Sequence, residues 1–265
     1  FGSSFAFMRA YDVLNPQNRV LKHLTALRHR KRYRAECNEF FLQGQRVIQK
    51  ASGHVKLKVV VSSAPSTRLE VEQHLYAPKA LMDRVVDQTM APGDEAFGSA
   101  VIPQAEWPEF PSRLVALDGV RFPDNAGSIL RTAVVMGFDG AVMLPGTVDP
   151  YNWKTVAANE AVHLGFPLKS CAAQEFLEMC DRNRLLPLVA HTDGISVESL
   201  RVPPEQEGFA LVLGSEASGP SQEYLDVCTR VKLPMADLVN SLNVSVAGGI
   251  LMHSLLNHPG FAVRD

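Results

Sequence analysis

The sequence predicts an α/β protein in two parts, with a mostly parallel sheet in the C-terminal part and a smaller α/β part before it. Three observations carry this prediction. From Leu114 onward, short apolar runs bounded by turn residues alternate with stretches of helical period. The first hundred residues show the same alternation on a smaller scale. Between them, Pro103 to Arg113 carries three prolines and no regular period, which marks a linker. At 265 residues, the chain is long enough for one large domain or two smaller ones.

The elements follow in order. Asn15 to Lys50 predicts helix, strand and helix. Leu21, Leu24 and Leu27 recur at helical spacing, Phe40 to Leu42 form a strand-like run, and Val47-Ile48 follow Gly44 on a helix. Leu57 to Val61 is a buried-strand signal bounded by Ser62, Ser63 and Pro65. Pro78 to Val86 is a short helix with proline near its first turn, and Phe97 to Ile102 a strand. In the second part, Leu114 to Leu117 is a strand, Asp118 to Gly127 a turn-rich loop, Ser128 to Met136 a helix and Ala141 to Leu144 a strand. Signals then alternate through Gln174 to Cys180, Leu185 to Ala190, Phe209 to Leu213, Tyr224 to Cys228, Val231 to Leu233 and Leu242 to Leu256. That is the rhythm of a doubly wound sheet. The domains expected are a small α/β domain at 12–102, a linker at 103–113 and the main sheet at 114–265.

Composition narrows the class. Hydrophobic content of 46% with 20% charged residues fits a globular protein. No apolar run nears the ~18 residues of a membrane-spanning helix, so no membrane partner is expected. The four cysteines, Cys37, Cys171, Cys180 and Cys228, form no C-x-x-C pair; no metal is expected, and a reducing compartment suits them. The net charge of −2 hides an asymmetry: residues 1–50 hold ten Lys/Arg against Asp12, Glu36 and Glu39, net +7, leaving −9 on the rest. A basic arm on an acidic body points to a polyanion, with a solvated helix face as the alternative. Residues 1–10 lack acid and contain Ser and Arg, as the end of an organellar transit peptide would, so the expected location is intracellular, either cytoplasmic or organellar.

Three stretches can carry chemistry. Gly214-Ser-Glu-Ala-Ser-Gly219 has the glycine spacing of a phosphate loop, but Pro220-Ser221 replaces its essential lysine, which excludes a nucleoside triphosphatase. No G-x-G-x-x-G follows a strand, which disfavours a nicotinamide enzyme. The glycines require either a close approach to the backbone or positive φ, and a tight turn alone would account for them. In Asn125 to Arg131, the asparagine can cap a helix. Arg131 stands among Ile129, Leu130 and Ala133, where a guanidinium needs a phosphate or a structural carboxylate such as Asp118 or Asp124. Ser241-Leu-Asn-Val-Ser245 opens a helix with more polar groups than one cap needs, although ordinary capping is the alternative. His191-Thr192-Asp193 follows a strand without a nucleophile elbow and reads as a loop lining a pocket.

VALDGVRFPDNAGSILRTAVVMGFDGAVML, LVLGSEASGP with VKLPM, and NSLNVSVAGGILMHSLL resemble the three motifs of the TrmH/SpoU family of RNA ribose 2′-O-methyltransferases, over residues 114–257 and in the same order. NPQNRVLKHLTALRHRKRYRAECNEFFLQGQRVIQ is similar to the RNA-binding domain, itself resembling a ribosomal protein, that precedes many members. The resemblance implies a deep C-terminal trefoil knot, a homodimer formed through that domain, and S-adenosyl-L-methionine as cofactor. Carried over by position, Gly214, Gly219, Leu233, Met235 and Leu242 would cradle the cofactor, with Thr192 lining its adenosine pocket. Asn125, Arg131, Glu216, Ser241 and Asn243 would form the catalytic and phosphate-binding cluster. Arg28, Arg30, Lys31, Arg32 and Arg34 are the candidate RNA contacts.

Departures from the family pattern are Ala157 to Ala161 in place of a Ser-x-Gly-Ala run, Gln43-Gly44 in place of Glu-Gly, Leu233 in place of Ile, and a shorter Glu216–Pro220 loop. The resemblance implies methyl transfer to a ribose 2′-hydroxyl, in ribosomal RNA ahead of transfer RNA. The alternatives are a non-catalytic RNA-binding or assembly protein that keeps the knot, and a base-nitrogen methylase of the same fold.

Overall fold

The computed structural model describes residues 11–12, 17–63, 69–86, 93–236 and 241–261. The expectations for residues 1–10, for Asn15 and for Pro65 lie outside them. The chain divides into two compact units. One gathers residues up to Pro103 together with Tyr151–Gly165; the other holds Gln104–Pro150 and the chain from Phe166 onward.

In the first unit, β1 (Tyr11–Asp12), β2 (Glu39–Gln43), β3 (Leu57–Ser62), β4 (Val71–Tyr76) and β5 (Ala96–Val101) form a mixed sheet ordered β1-β4-β3-β5-β2. Its helices are α1 (Arg19–His29), α2 (Lys31–Cys37), α3 (Gln45–Ala51) and α4 (Lys79–Val86). Alternation in β2 sends Phe41 to the side of Leu21, Leu24 and Leu27, and Phe40 with Leu42 to the side of Ile48 and Ala51. Strands β1 and β4 carry too little apolar alternation to stand out in the sequence.

The returning segment Tyr151–Gly165 carries α6 (Trp153–Ala158). It places Val156, Ala161 and Leu164 in the same buried cluster as Phe40, Leu42 and Ile48. This differs from the expected continuous 114–265 domain, because burial of those three side chains assigns the segment to the first unit. Glu160 and Ala161 both adopt positive φ there, 54° and 65°. Each carries a side chain in the left-handed region, at a cost of about 1–2 kcal/mol per residue that glycine would avoid.

In the second unit, β6 (Arg113–Asp118), β7 (Gly140–Met143), β8 (Leu168–Ser170), β9 (Leu185–Ser196), β10 (Gly208–Gly214) and β11 (Thr229–Lys232) form a wholly parallel sheet ordered β11-β9-β10-β6-β7-β8. Central β10 is buried at every residue, as expected for a parallel strand covered on both faces. Helices α5 (Pro123–Val135) and α9 (Val244–Leu256) cover one face, joining Ile129, Leu130, Leu251 and Leu255 to Leu211 and Leu213. Helices α7 (Ala173–Arg182) and α8 (Gln222–Val227) cover the other, with Phe176, Cys180 and Tyr224 against Ala210 and Val212. Helix α5 begins at Pro123, five residues ahead of the expected Ser128, because proline is pre-formed for a first helical turn.

Candidate functional site

Parallel strands deliver their C-terminal ends to one edge of the sheet, and ligand sites of α/β proteins form there. Here the edge gathers Asp118 at the end of β6, Gly214 at the end of β10, and an irregularity in β9. Thr229 and Arg230 of β11 pair with Leu188 and Val189, but the next residue, Val231, pairs with Ile195. The intervening residues 190–194 therefore bulge out of the ladder. A Cβ on Gly194 would lie 2.6 Å from the Val231 carbonyl carbon, so only glycine lets the bulge close against β11.

The Gly214–Gly219 turn is closed by Ser215 and Gly219, whose N–H groups donate to each other's carbonyls at 3.0 and 2.9 Å. Gly219 has φ of +69°, and a Cβ on Gly214 would meet the Pro220 nitrogen at 2.1 Å. The turn's own backbone thus accounts for both glycines. Asp118, 4% exposed, pins the far end by accepting from the Ser221 N–H at 2.6 Å and its hydroxyl at 3.0 Å.

A chain of hydrogen bonds then joins three distant stretches. Asn125 Nδ2 donates to Glu216 Oε1 at 2.9 Å, and Asn243 Nδ2 donates to Asn125 Oδ1 at 3.0 Å. Asn243 Oδ1 caps α9 by accepting from the N–H of Ser245 at 2.9 Å, that of Val246 at 3.4 Å, and the Ser245 hydroxyl at 2.6 Å. Glu216 also accepts from the N–H groups of Arg121 and Phe122, each at 3.3 Å. Its carboxylate thereby serves the start of α5, whose N-cap Phe122 offers no side-chain acceptor. Partial burial pushes the Glu216 pKa up. The Asn125 donor and the backbone N–H groups of Glu216, Arg121 and Phe122 outweigh that and hold the carboxyl below the ordinary carboxylate range.

Beside this chain lies a cavity of about 520 Å³, within the range of small-molecule sites. Leu213, Val231 and Leu251 form buried apolar wall, and Leu233, Met235 and Leu242 add more. Ala190, His191 and Thr192 enter from the β9 bulge; Ser215, Glu216, Ser241 and Asn243 supply polar groups. This donor set fits S-adenosylmethionine. Apolar wall suits an adenine ring, the hydroxyls and amides suit ribose and amino-acid ends, and Glu216 brings negative charge to a cationic ligand. Among the described residues, no cluster of His, Cys, Asp or Glu is arranged to hold a metal ion.

All six residues implied for the cofactor, Thr192, Gly214, Gly219, Leu233, Met235 and Leu242, line this one cavity, as do Glu216, Ser241 and Asn243. Asn125 joins through its hydrogen bonds, but as the third residue of α5 rather than its cap. Arg131 does not line the cavity. It lies on the exposed side of α5, two residues past buried Ile129, rather than enclosed by apolar neighbours. Of the basic candidates, Arg30, Lys31 and Arg32 are exposed. Arg28 and Arg34 are buried, which corrects their assignment as RNA contacts. Arg28 stacks on Trp153 with 4.6 Å to the ring centroid, and Arg34 Nη1 donates to the Leu27 carbonyl at 2.7 Å. Sequence reasoning missed the Asp118–Ser221 clamp and the bulge itself, neither of which has a local signal.

Residues 112–253, more than half of the chain, match the family described as the SpoU rRNA methylase family. The chain is 27% identical to a 23S rRNA (guanosine(2553)-2′-O)-methyltransferase of Bacillus subtilis (strain 168), over 92% of this chain and 98% of that protein. It is 32% identical to a 23S rRNA (adenosine(1067)-2′-O)-methyltransferase of Streptomyces laurentii, over 60% of this chain and 61% of that one. A crystal structure of an AdoMet-bound rRNA methyltransferase from Sinorhizobium meliloti has the same fold. Its TM-score is 0.80 at 22% identity, covering 94% of this chain and 98% of that one.

Proposed function

The chain belongs to the SpoU rRNA methylase family, and on that premise we propose that it uses S-adenosyl-L-methionine to methylate a ribose 2′-hydroxyl in ribosomal RNA. The observation that carries this reading is the Glu216–Asn125–Asn243 hydrogen-bond chain along the rim of the 520 Å³ cavity. It joins three sequence-distant stretches into one polar surface beside one ligand-sized space. The names of the curated relatives support ribosomal RNA as substrate.

When bound, the cofactor supplies a methyl group activated by a sulfonium. The residues that would hold it are Thr192, Gly214, Leu233, Met235 and Leu242, with Ser241 at the mouth. Glu216 is an anchor rather than a base: its carboxylate is occupied by Asn125 and two backbone N–H groups, and its pKa is held down. Anchored this way, Asn125 fixes Asn243 and the first turn of α9. Arg131, exposed on α5, holds the phosphate next to the target ribose and makes the 2′-hydroxyl more acidic; the proton leaves to that phosphate or to solvent. A guanidinium keeps its proton near neutral pH and is a poor free base, so its role is electrostatic.

The reading includes the knotted path of the C-terminal unit and a homodimer. The dimer is supported by two exposed apolar residues one turn apart on α9, Val246 and Ile250, which are 50% and 45% exposed. Arg30, Lys31 and Arg32 give the first unit an exposed cationic patch for RNA. Calorimetric titration with S-adenosylmethionine and S-adenosylhomocysteine tests the cofactor site, with micromolar binding expected and its loss in Leu242→Glu. Transfer of labelled methyl to ribosomal RNA, followed by nucleoside analysis, tests the reaction. Label on a base nitrogen would overturn the ribose assignment; no cofactor binding by a folded protein would favour an RNA-binding role without catalysis.

A further inference from the structure

We propose that Arg121 and Phe122 form an RNA-reading hook at the rim of this site: Phe122 stacks on an unpaired base next to the methylated ribose, and Arg121 pairs with an adjoining phosphate. The inference deepens the methyltransferase reading and rests on it.

Four observations converge on these two residues. Phe122 is 60% exposed, so it gains little from burial. It occupies the N-cap of α5, where a phenyl ring has no acceptor to offer and Ser, Thr, Asp or Asn would stabilise the helix by about 1 kcal/mol. A residue that serves neither packing nor capping breaks the local rules, and such positions concentrate at functional sites.

The backbone that carries the ring is also held in place. Pro123 confines the preceding residue to extended backbone, and Phe122 has φ −80° and ψ 119°. The Glu216 carboxylate holds the N–H groups of both Arg121 and Phe122. The same carboxylate holds Asn125, so the hook and the polar chain share one anchor. A base stacked on Phe122 would therefore be registered against the reacting ribose.

Finally, Arg121, the residue before Phe122, is exposed. A cation next to an exposed aromatic suits single-stranded RNA, where bases are splayed onto aromatic side chains and phosphates are neutralised alongside. Phe110 is more exposed still, at 80%, but it follows Glu109 among prolines, in surroundings that repel a polyanion.

The test uses the full chain and a fluorescein-labelled single-stranded oligoribonucleotide of mixed sequence, read by anisotropy, together with KM and kcat for methyl transfer to total ribosomal RNA. Phe122→Ala should weaken RNA binding roughly 5- to 150-fold, the range of one base–aromatic stack, and raise KM more than it lowers kcat. Phe122→Trp should restore affinity, Phe122→Leu should not, and Arg121→Ala should reduce the salt dependence by about one phosphate contact. Unchanged affinity in Phe122→Ala, or rescue by leucine equal to that by tryptophan, would overturn the stacking role. S-adenosylhomocysteine titration of the unsubstituted chain separates the two ideas. RNA affinity that depends on Phe122 in a chain that binds no cofactor would reject the enzyme and keep the hook.

Discussion

Replacing Asn243 separates two jobs done by one side chain. Its Oδ1 caps α9, and its Nδ2 donates to Asn125. Asn243→Asp keeps the cap, since the two residues are equivalent at that position, and adds a favourable charge at the helix start worth about 0.3–1 kcal/mol. It removes the donor, at about 0.5–1.5 kcal/mol, and sets an acceptor against Asn125 Oδ1. Asn125 cannot relieve this by flipping its amide, because its Nδ2 is committed to Glu216. The two changes nearly offset, so Asn243→Asp should melt within a few degrees of the parent. Asn243→Ala loses both the cap, typically about 1 kcal/mol, and the donor, about 0.5–1.5 kcal/mol, and its melting temperature should fall by about 3–10 °C. Methyl transfer should rank the other way for aspartate: a near-normal melt with turnover down about tenfold or more, equivalent to about 1.4 kcal/mol of barrier. Circular dichroism melts and labelled-methyl transfer on the same preparations read both quantities. Full turnover in Asn243→Asp would refute the need for the Asn243–Asn125 bond. Identical melts for aspartate and alanine would refute the cap.

Because Glu216 is held below the ordinary carboxylate range, its contribution to stability is complete above the unfolded carboxylate pKa, about 4.3, and is lost as pH falls through its lower folded value. The melting difference between parent and Glu216→Gln should therefore shrink at acid pH, and a difference constant with pH would exclude the ionised anchor. Alanine at Arg30, Lys31 and Arg32 together should flatten the salt dependence of RNA binding while leaving the melt in place, since the Arg32–Glu36 pair is exposed and contributes little. Arg34→Ala should instead lower the melt, because Arg34 is buried and donates to the Leu27 carbonyl. Burial pushes the Cys180 and Cys228 thiols up to about 12, so neither should react with a thiol-specific disulfide reagent near pH 8 until the protein unfolds; prompt labelling of either would contradict their packing.

Much of the site was legible beforehand because its residues sit in three short stretches, each with its own local signature. Gly214 and Gly219 announce a turn, and Ser241 to Ser245 announce a helix start. The cavity that brings Thr192 beside Met235 and Leu242 was reached only through resemblance. The error over Arg131 came from treating its sequence neighbours as its spatial neighbours. On a helix, Ile129 and Leu130 face inward while Arg131 points out. Arg28 and Arg34 misled in the opposite direction: both lie in a basic run, yet both fold inward, one onto Trp153 and one onto the end of α1.

The sequence by itself determined the alternation of strands and helices, the parallel character of the second sheet and the stretches that bear chemistry. Those signals are short-range: apolar period, turn residues and helix starts act within a few positions of each other. Tertiary structure alone decided that Tyr151–Gly165 packs with the first unit, that β9 throws residues 190–194 out of its ladder, and that Glu216 reaches across to hold Arg121, Phe122 and Asn125. Each of these depends on burial or pairing between residues far apart in the chain, and no local pattern records which distant partner will supply the missing hydrogen bond or the covering side chain.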